Sequence, residues 1–306
     1  MHLTDKSNFT EINLVKKEND MPASTLFSPM CPDTLTDDHL ARFKEDGFLA
    51  FEGLLTTQEV EIARAEISRL VRRNLDASDA VLSQRILSLP SERFGVQFES
   101  GITENDLAVT DVELKVRKLM HYCEVSSFFA ELADSHPKLR GILQAILGPD
   151  SIMFQDMALI KPPYIGTIKP WHQDNAYFSV APLDLIVGAW IALDPATVEN
   201  GCMHVIPGGH RHGALKHIHD RDCEIVPDRI DESRQFPVEL NPGGVLFFYG
   251  MLPHQTPPNQ SPDRRRALQL HYHAAECVKL ADDEYDQLYA ENGEPASCSA
   301  ARRQGI

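Results

Sequence analysis

From Ser151 to Ala275 the chain is written in short apolar runs: SIMFQDMALIK, AYFSV, DLIVGAWIAL, CMHVIP, FPVEL, GVLFFYG and RALQLHYHAA. Between them lie clusters of Pro, Gly, Asn and Asp such as KPPYIG, PATVENG, PGGHRHG and NPGG. Such punctuation stops strands, because Gly and Asn reach turn conformations and Pro cannot donate inside a sheet. Many short strands between turns predict a sandwich or barrel. Upstream the texture is helical. Thr36 is placed to cap a short helix through DDHLARFKEDG that Gly47 closes, with FLAFEGLL following as a strand. Thr56 and Glu59 form a capping box before a helix on which Val60, Ala63, Ile67, Leu70 and Val71 share a face. Further helices are predicted through VELKVRKLMHYCEVSSFFAELAD and HPKLRGILQAIL. The predicted class is mainly β, with supporting N-terminal α-helices. One domain over 34–290 would divide into a helical layer (34–150) and an all-β core (151–277). Residues 1–33, polar and aperiodic, predict a flexible arm, and 291–306 a C-terminal tail.

At 306 residues and 42% hydrophobic content the chain can bury a substantial core. A net charge of -16 disfavours nucleic acid and anionic membranes as partners. It also weakly disfavours strongly anionic substrates, unless a basic pocket exists locally. The six cysteines are scattered without a CxxC pair, so free thiols in a reducing compartment are expected. Charges run through the first twenty residues and no long apolar stretch occurs, which predicts a cytoplasmic protein with no membrane segment. The C-terminal ARRQGI is not a peroxisomal address.

The stretch WHQDNAYF places His172 and Asp174 two positions apart. In a strand these two side chains point the same way and Gln173 the other. Alone, HxD is as well explained by an exposed hydrogen-bonded pair. A second imidazole follows in GMLPHQTPPNQSPDRRRALQLHYH, where His254 succeeds one strand and Arg265 opens the next. Two imidazoles and one carboxylate make the facial triad that leaves open positions on non-haem Fe(II). Zinc accepts the same set. Of Arg264, Arg265 and Arg266, alternation puts Arg265 on a face with Ala267, Gln269 and His271 that suits a cofactor cavity. Arg266 shares the packing face with Leu268, Leu270 and Tyr272, and Arg264 and Arg266 otherwise read as solvated or ion-paired. A guanidinium in the cavity would clamp a carboxylate such as the far end of 2-oxoglutarate. The histidines His204, His210, His212, His217 and His219 lack a ligand spacing and read as a loop.

Three blocks, PWHQDNAYF, DLIVGAWIALDPATVENGCMHVIPGGHRHG and HQTPPNQSPDRRRALQLHYH, in this order resemble the phytanoyl-CoA dioxygenase (PhyH-like) family of Fe(II)/2-oxoglutarate oxygenases. The resemblance implies a double-stranded β-helix, the jelly roll or cupin-like core, with helices supporting one sheet. It implies His172, Asp174 and His254 as iron ligands, Arg265 as the 2-oxoglutarate arginine and Thr256 as a hydroxyl touching the cosubstrate. Trp190 would line the same pocket and Gln155 would contact the 2-oxoglutarate end, although a core aromatic and an ordinary strand glutamine explain them equally. Asn175 and Tyr177 become candidate substrate contacts. The implied reaction consumes 2-oxoglutarate and O2, releases succinate and CO2, and hydroxylates an unactivated C–H bond of a small-molecule metabolite. Family members that halogenate carry a small residue in place of Asp174, so hydroxylation, or a related desaturation or epimerisation, is favoured. A zinc hydrolase or lyase on the same ligands, and a catalytically silent binding protein, remain as other classes. The substrate is open among acyl-CoA thioesters, compatible solutes, phosphonates and secondary metabolites. SERFGVQFESGITEND and HRHGALKHIHDRD are expected to form the outer pocket.

Overall fold

The structure, a computed structural model, describes residues 27–28, 30–108, 111–219 and 222–291. Most of the predicted arm, and the predicted tail after Glu291, lie outside the described residues. Thr36 caps the helix Asp37–Asp46 by accepting from the His39 N–H, and Gly47, at φ 87°, ends it. A side chain at Gly47 would strain the backbone and strike the His210 ring, which packs there. The Thr56–Glu59 box starts the helix Thr57–Asp76, which buries Val60, Ala63, Ile67, Leu70 and Val71.

Among the described residues the strands form a ten-stranded and a four-stranded sheet, with two small ribbons. The larger runs Phe27–Ser28, Phe48–Phe51, Val245–Tyr249, Ile186–Ala192, Arg265–His273, Ile152–Lys161, Val116–Met120, Gly95–Phe98, Ile86–Ser88, Val81–Ser83. The smaller runs Phe236–Val238, Met203–Val205, His254–Thr256, Lys169–His172. One face of the large sheet, with Val187, Ile191, Phe247, Leu268 and Leu270, packs on helix residues such as Ile67, Leu70, Leu139 and Leu143. The other face meets the small sheet through Trp190, Leu246, Phe248, Met203 and Val205. The helix-backed cluster is the larger of the two, each fully buried large apolar side chain in it contributing about 1.5–3 kcal/mol.

Two segments depart from expectation. The stretch predicted as one helix through VELKVRKLMHYCEVSSFFAELAD is α-helical only at Ser127–Ser135, with short 3-10 turns at Val112–Lys115 and Tyr122–Glu124, while Val116–Met120 is a strand between Gly95–Phe98 and Ile152–Lys161. Val116 and Leu119 have helical spacing, but pairing with a distant strand overrides it. The layer 34–150 thus contributes five strands to the large sheet, of which the sequence predicts only Phe48–Phe51. AYFSV is not a strand: Asp174–Tyr177 is a 3-10 turn, followed by the two-residue strand Val180–Ala181. The expectation of six free thiols also fails. Cys31, Cys123, Cys202 and Cys277 are free, whereas Cys223 is disulfide-bonded. No helix among the described residues is long and apolar enough to cross a membrane.

Candidate active site

His172 ends the strand Lys169–His172, and His254 begins His254–Thr256 directly opposite it in antiparallel register. Gln173 is still extended, and Asp174 opens the 3-10 turn beyond. The strand therefore stops one residue short of the alternation expected for it, yet one extended residue suffices to aim His172 and Asp174 the same way. Gln173 points away, donating to the Gly213 and Met251 carbonyls and accepting from the Leu215 N–H. Donor atoms of His172, Asp174 and His254 all lie within 4.8 Å of one another. Asp174 Oδ1 is 3.4 Å from His172 Nε2 and 3.6 Å from His254 Nε2.

The protonation states follow from the partners. His172 Nδ1 sits 2.8 Å from the Pro170 carbonyl and His254 Nδ1 2.9 Å from the Leu252 carbonyl. A carbonyl only accepts, so each Nδ1 carries the proton and each Nε2 turns a bare lone pair inward. Burial, and then the neighbouring His172, pushes His254 down to about 3. For Asp174, burial alone would raise the carboxyl, but the surrounding imidazoles of His254, His271 and His172, with the His271 hydrogen bond, hold it well below the usual carboxylate range. Neutral imidazole and ionised carboxylate are the donor forms that a divalent metal requires.

Asp174 has a second anchor that sequence reasoning placed on the cavity face without assigning it a role. Its Oδ2 accepts from Gln269 Nε2 at 3.0 Å and lies 2.8 Å from the wholly buried His271 Nε2. With Oδ2 engaged, Oδ1 alone is presented to the triad. Gln269→Leu is expected to weaken Fe(II) binding about 10–100-fold while the fold persists. Metal titration monitored alongside circular dichroism checks this, and unchanged affinity would rule out the anchoring role.

Arg265 opens the strand Arg265–His273 and is 1% exposed. Its guanidinium lies 5.2 Å from the Trp190 ring and donates at 3.3 Å to the Leu159 and Gly201 carbonyls, while Nε has no partner. Its neighbours are paired, Arg264 with Glu113 and the buried Arg266 with Asp194. No carboxylate pairs with Arg265 among the described residues. Burial pushes it down to about 10. Gly201, at φ 80°, is the residue this contact requires: a Cβ there would lie 2.3 Å from the Pro257 carbonyl oxygen. Lys161, opposite Arg265 in the register, donates to the Thr167 and Thr256 carbonyls. Burial, and then the charge of Arg265, pushes its ammonium down to about 6.

A cavity of about 610 Å³ connects these groups, lined by His172, Asp174, His254, Arg265, Thr256 and Gln155 among others. The Gln155 amide oxygen is buried without a partner. Trp190 is not on the cavity wall and lies behind Arg265 as a core aromatic. Tyr177 lines the cavity, its ring edge-on to His172 and its hydroxyl on Lys169. Asn175 does not: the 3-10 turn rotates it to the Leu183 carbonyl and against Gly250, so it pins the turn. The two predicted outer loops do reach the wall, through Gln97, Glu99 and Ser100, and through His219 and Asp222. Arg85, Arg117, Lys118 and Lys169 also line it, and sequence reasoning singled out none of them. Of the histidine run, His210 binds the Lys44 carbonyl, His217 accepts from the Gln173 N–H and His204 meets Gln235. Among the described residues the three-ligand group at Asp174 is the one found.

Residues 43–267 match the family described as Phytanoyl-CoA dioxygenase (PhyH). The chain is 24% identical over 282 residues to phytanoyl-CoA dioxygenase domain-containing protein 1 of Danio rerio, covering 85% of this chain and 97% of that protein. It is 26% identical over 257 residues to the peroxisomal phytanoyl-CoA dioxygenase of Homo sapiens, covering 80% and 70%. Among solved structures it resembles EvdO2 from Micromonospora carbonacea var. aurantiaca complexed with 2-oxoglutarate, at TM-score 0.58 and 26% identity, covering 81% of this chain and 94% of that one. It also shares the fold of the non-heme alpha-ketoglutarate-dependent carbocyclase SnoK, at TM-score 0.60 and 18% identity, covering 87% and 97%.

Proposed function

The chain belongs to the phytanoyl-CoA dioxygenase family, and from that premise we propose that it hydroxylates an unactivated C–H bond of a small-molecule metabolite, releasing succinate and CO2. It is a 2-oxoglutarate-dependent oxygenase using Fe(II), 2-oxoglutarate and O2. When bound, Fe(II) supplies the O2-activating chemistry that couples decarboxylation of the cosubstrate to oxidation of the substrate.

His172, Asp174 and His254 would hold the metal, the two imidazoles by the Nε2 atoms that face Asp174 Oδ1, with Gln269 and His271 fixing the carboxylate. The observation that carries the reading is Arg265: a buried guanidinium without a carboxylate partner among the described residues, on the same cavity as three converging metal donors. An isolated buried charge is unfavourable by itself, and a dicarboxylate reaching from the metal supplies its counter-charge. Arg265 takes the far carboxylate, with Thr256 and Lys161 beside it, and Gln155 offers its free amide oxygen to a nearby donor. Tyr177 stands where substrate approaches His172. A zinc hydrolase on the same ligands has no use for Arg265, and the intact donor set argues against a silent binding protein. Succinate release from a metabolite panel by the iron-loaded protein, with Asp174→Ala as blank, tests the reading. A well-folded, iron-loaded protein that never converts 2-oxoglutarate would overturn it.

Cosubstrate binding is expected to take up protons. At neutral pH Lys161, with its pKa near 6, is mostly uncharged. A carboxylate beside it favours the ammonium form and raises that value. Binding therefore draws in protons near neutral pH, and affinity for 2-oxoglutarate falls as pH rises. Calorimetry in buffers of different ionisation enthalpy checks this: wild type should show uptake and Lys161→Met none. Equal enthalpies in all buffers would contradict it.

A further inference from the structure

The outer wall of the cavity carries a charge opposite to that of the chain. Arg85, Arg117, Lys118 and Lys169 converge on it in a protein of net charge -16. Lys118 stands in the middle of Val116–Met120, between Gln97 and Leu159 on the neighbouring strands, both of which also line the cavity. Burial, and then Lys169 and Arg117, pushes its ammonium down to about 8. Two acids offset part of the charge. Asp222 lies 2.8 Å from Lys169 and 3.9 Å from Arg117, and Glu99 lies 3.5 Å from Arg117. Arg85 and Lys118 have no carboxylate partner among the described residues; Arg85 makes only a 3.5 Å contact to the Phe98 carbonyl.

The backbone adds an independent observation. Arg85 sits in the two-residue turn Gln84–Arg85 between Val81–Ser83 and Ile86–Ser88, and both residues are left-handed, at φ 49° and 68°. Turns of this kind favour Asn-Gly, because a side chain there is strained. A strained, non-glycine residue whose side chain lines a cavity marks a functional position.

We propose that Arg85, Arg117 and Lys118 form a subsite for an anionic group of the substrate, a carboxylate or a phosphate, separate from the Arg265 end that the cosubstrate occupies. The inference rests on the proposed oxygenase site. Lys118 is level with Ala267 two strands across the sheet, about 10 Å at the usual strand spacing, and Arg265 is two residues further along its strand, so one dicarboxylate clamped at Arg265 leaves this wall unneutralised. The chain's acidic balance, which at the level of composition disfavours anionic substrates, is reversed here locally.

The test uses full-length protein loaded with Mn(II) and saturating 2-oxoglutarate, titrated separately with inorganic phosphate and with acetate. At least one anion is expected to bind saturably, and the tighter one identifies the chemistry. Arg85→Gln, and the double variant Arg85→Gln/Lys118→Gln, should weaken that binding about tenfold or more, or roughly 1.4 kcal/mol. Their affinity for 2-oxoglutarate should stay within about twofold on this account, since Arg265 sets it. Arg85 lies in a turn outside the core, so the single variant keeps the question open if the double variant fails to fold. Absence of saturable binding of either anion would overturn the subsite, and so would a parallel loss of 2-oxoglutarate affinity, which would assign the cluster to the cosubstrate. A wild-type protein that does not bind 2-oxoglutarate at all would instead refute the oxygenase site, and the subsite with it.

Discussion

Asp174→Ala is expected to lower 2-oxoglutarate turnover by about a thousandfold or more, because a bound metal contributes several kcal/mol and each 1.36 kcal/mol is tenfold in rate. The loss has two sources. Oδ1 disappears from between His172 and His254, and the groups that held Oδ2, Gln269 and His271, lose their buried partner. Unsatisfied buried polar groups cost about 1–3 kcal/mol each, so the variant should also melt earlier. Asp174→Asn separates the effects: it keeps shape and some hydrogen bonding but loses the charged donor. If Asp174→Asn retained near wild-type turnover, the carboxylate would not be a metal ligand.

Arg265→Leu should do the reverse to stability. Without cosubstrate, the wild-type guanidinium is a buried charge that, among the described residues, has only carbonyl contacts and the Trp190 ring. Replacing an uncompensated buried charge by an apolar side chain is neutral or stabilising. The variant's melting temperature should therefore hold or rise. Affinity for 2-oxoglutarate should fall about a hundredfold or more, the value of two charge-assisted hydrogen bonds at about 1.5–3 kcal/mol each. Arg265→Lys should recover only part of it, since an ammonium cannot grip both carboxylate oxygens in one plane. The diagnostic pattern is KM rising with a stable fold; a lowered melting temperature with unchanged KM would make Arg265 a structural residue.

His172, Asp174 and Arg265 were legible from local geometry, one extended residue between the first two and one strand alternation aiming the third inward, whereas His254, on a strand distant in sequence, was joined to them by its donor chemistry and the family resemblance. The same alternation placed Gln269 and His271 on the right face, but their hold on Asp174 depends on a partner 95 and 97 residues away in sequence. Lys118 was hidden by the helical spacing of Val116 and Leu119, which pairing with Ile152–Lys161 overrides. Arg85 was hidden because its left-handed turn carries neither Gly nor Asn as a signal. Asn175 misled for the opposite reason. Adjacency to Asp174 in sequence suggested adjacency in space, and the 3-10 turn rotates it out of the cavity.

The most direct test of the site is the visible spectrum of the protein under anaerobic conditions with Fe(II) and saturating 2-oxoglutarate. Wild type should show a weak charge-transfer band. In Asp174→Ala the band should be absent, and in Arg265→Leu it should return only at much higher 2-oxoglutarate. Folded wild-type protein that binds Fe(II) yet shows no band at any 2-oxoglutarate concentration would contradict it.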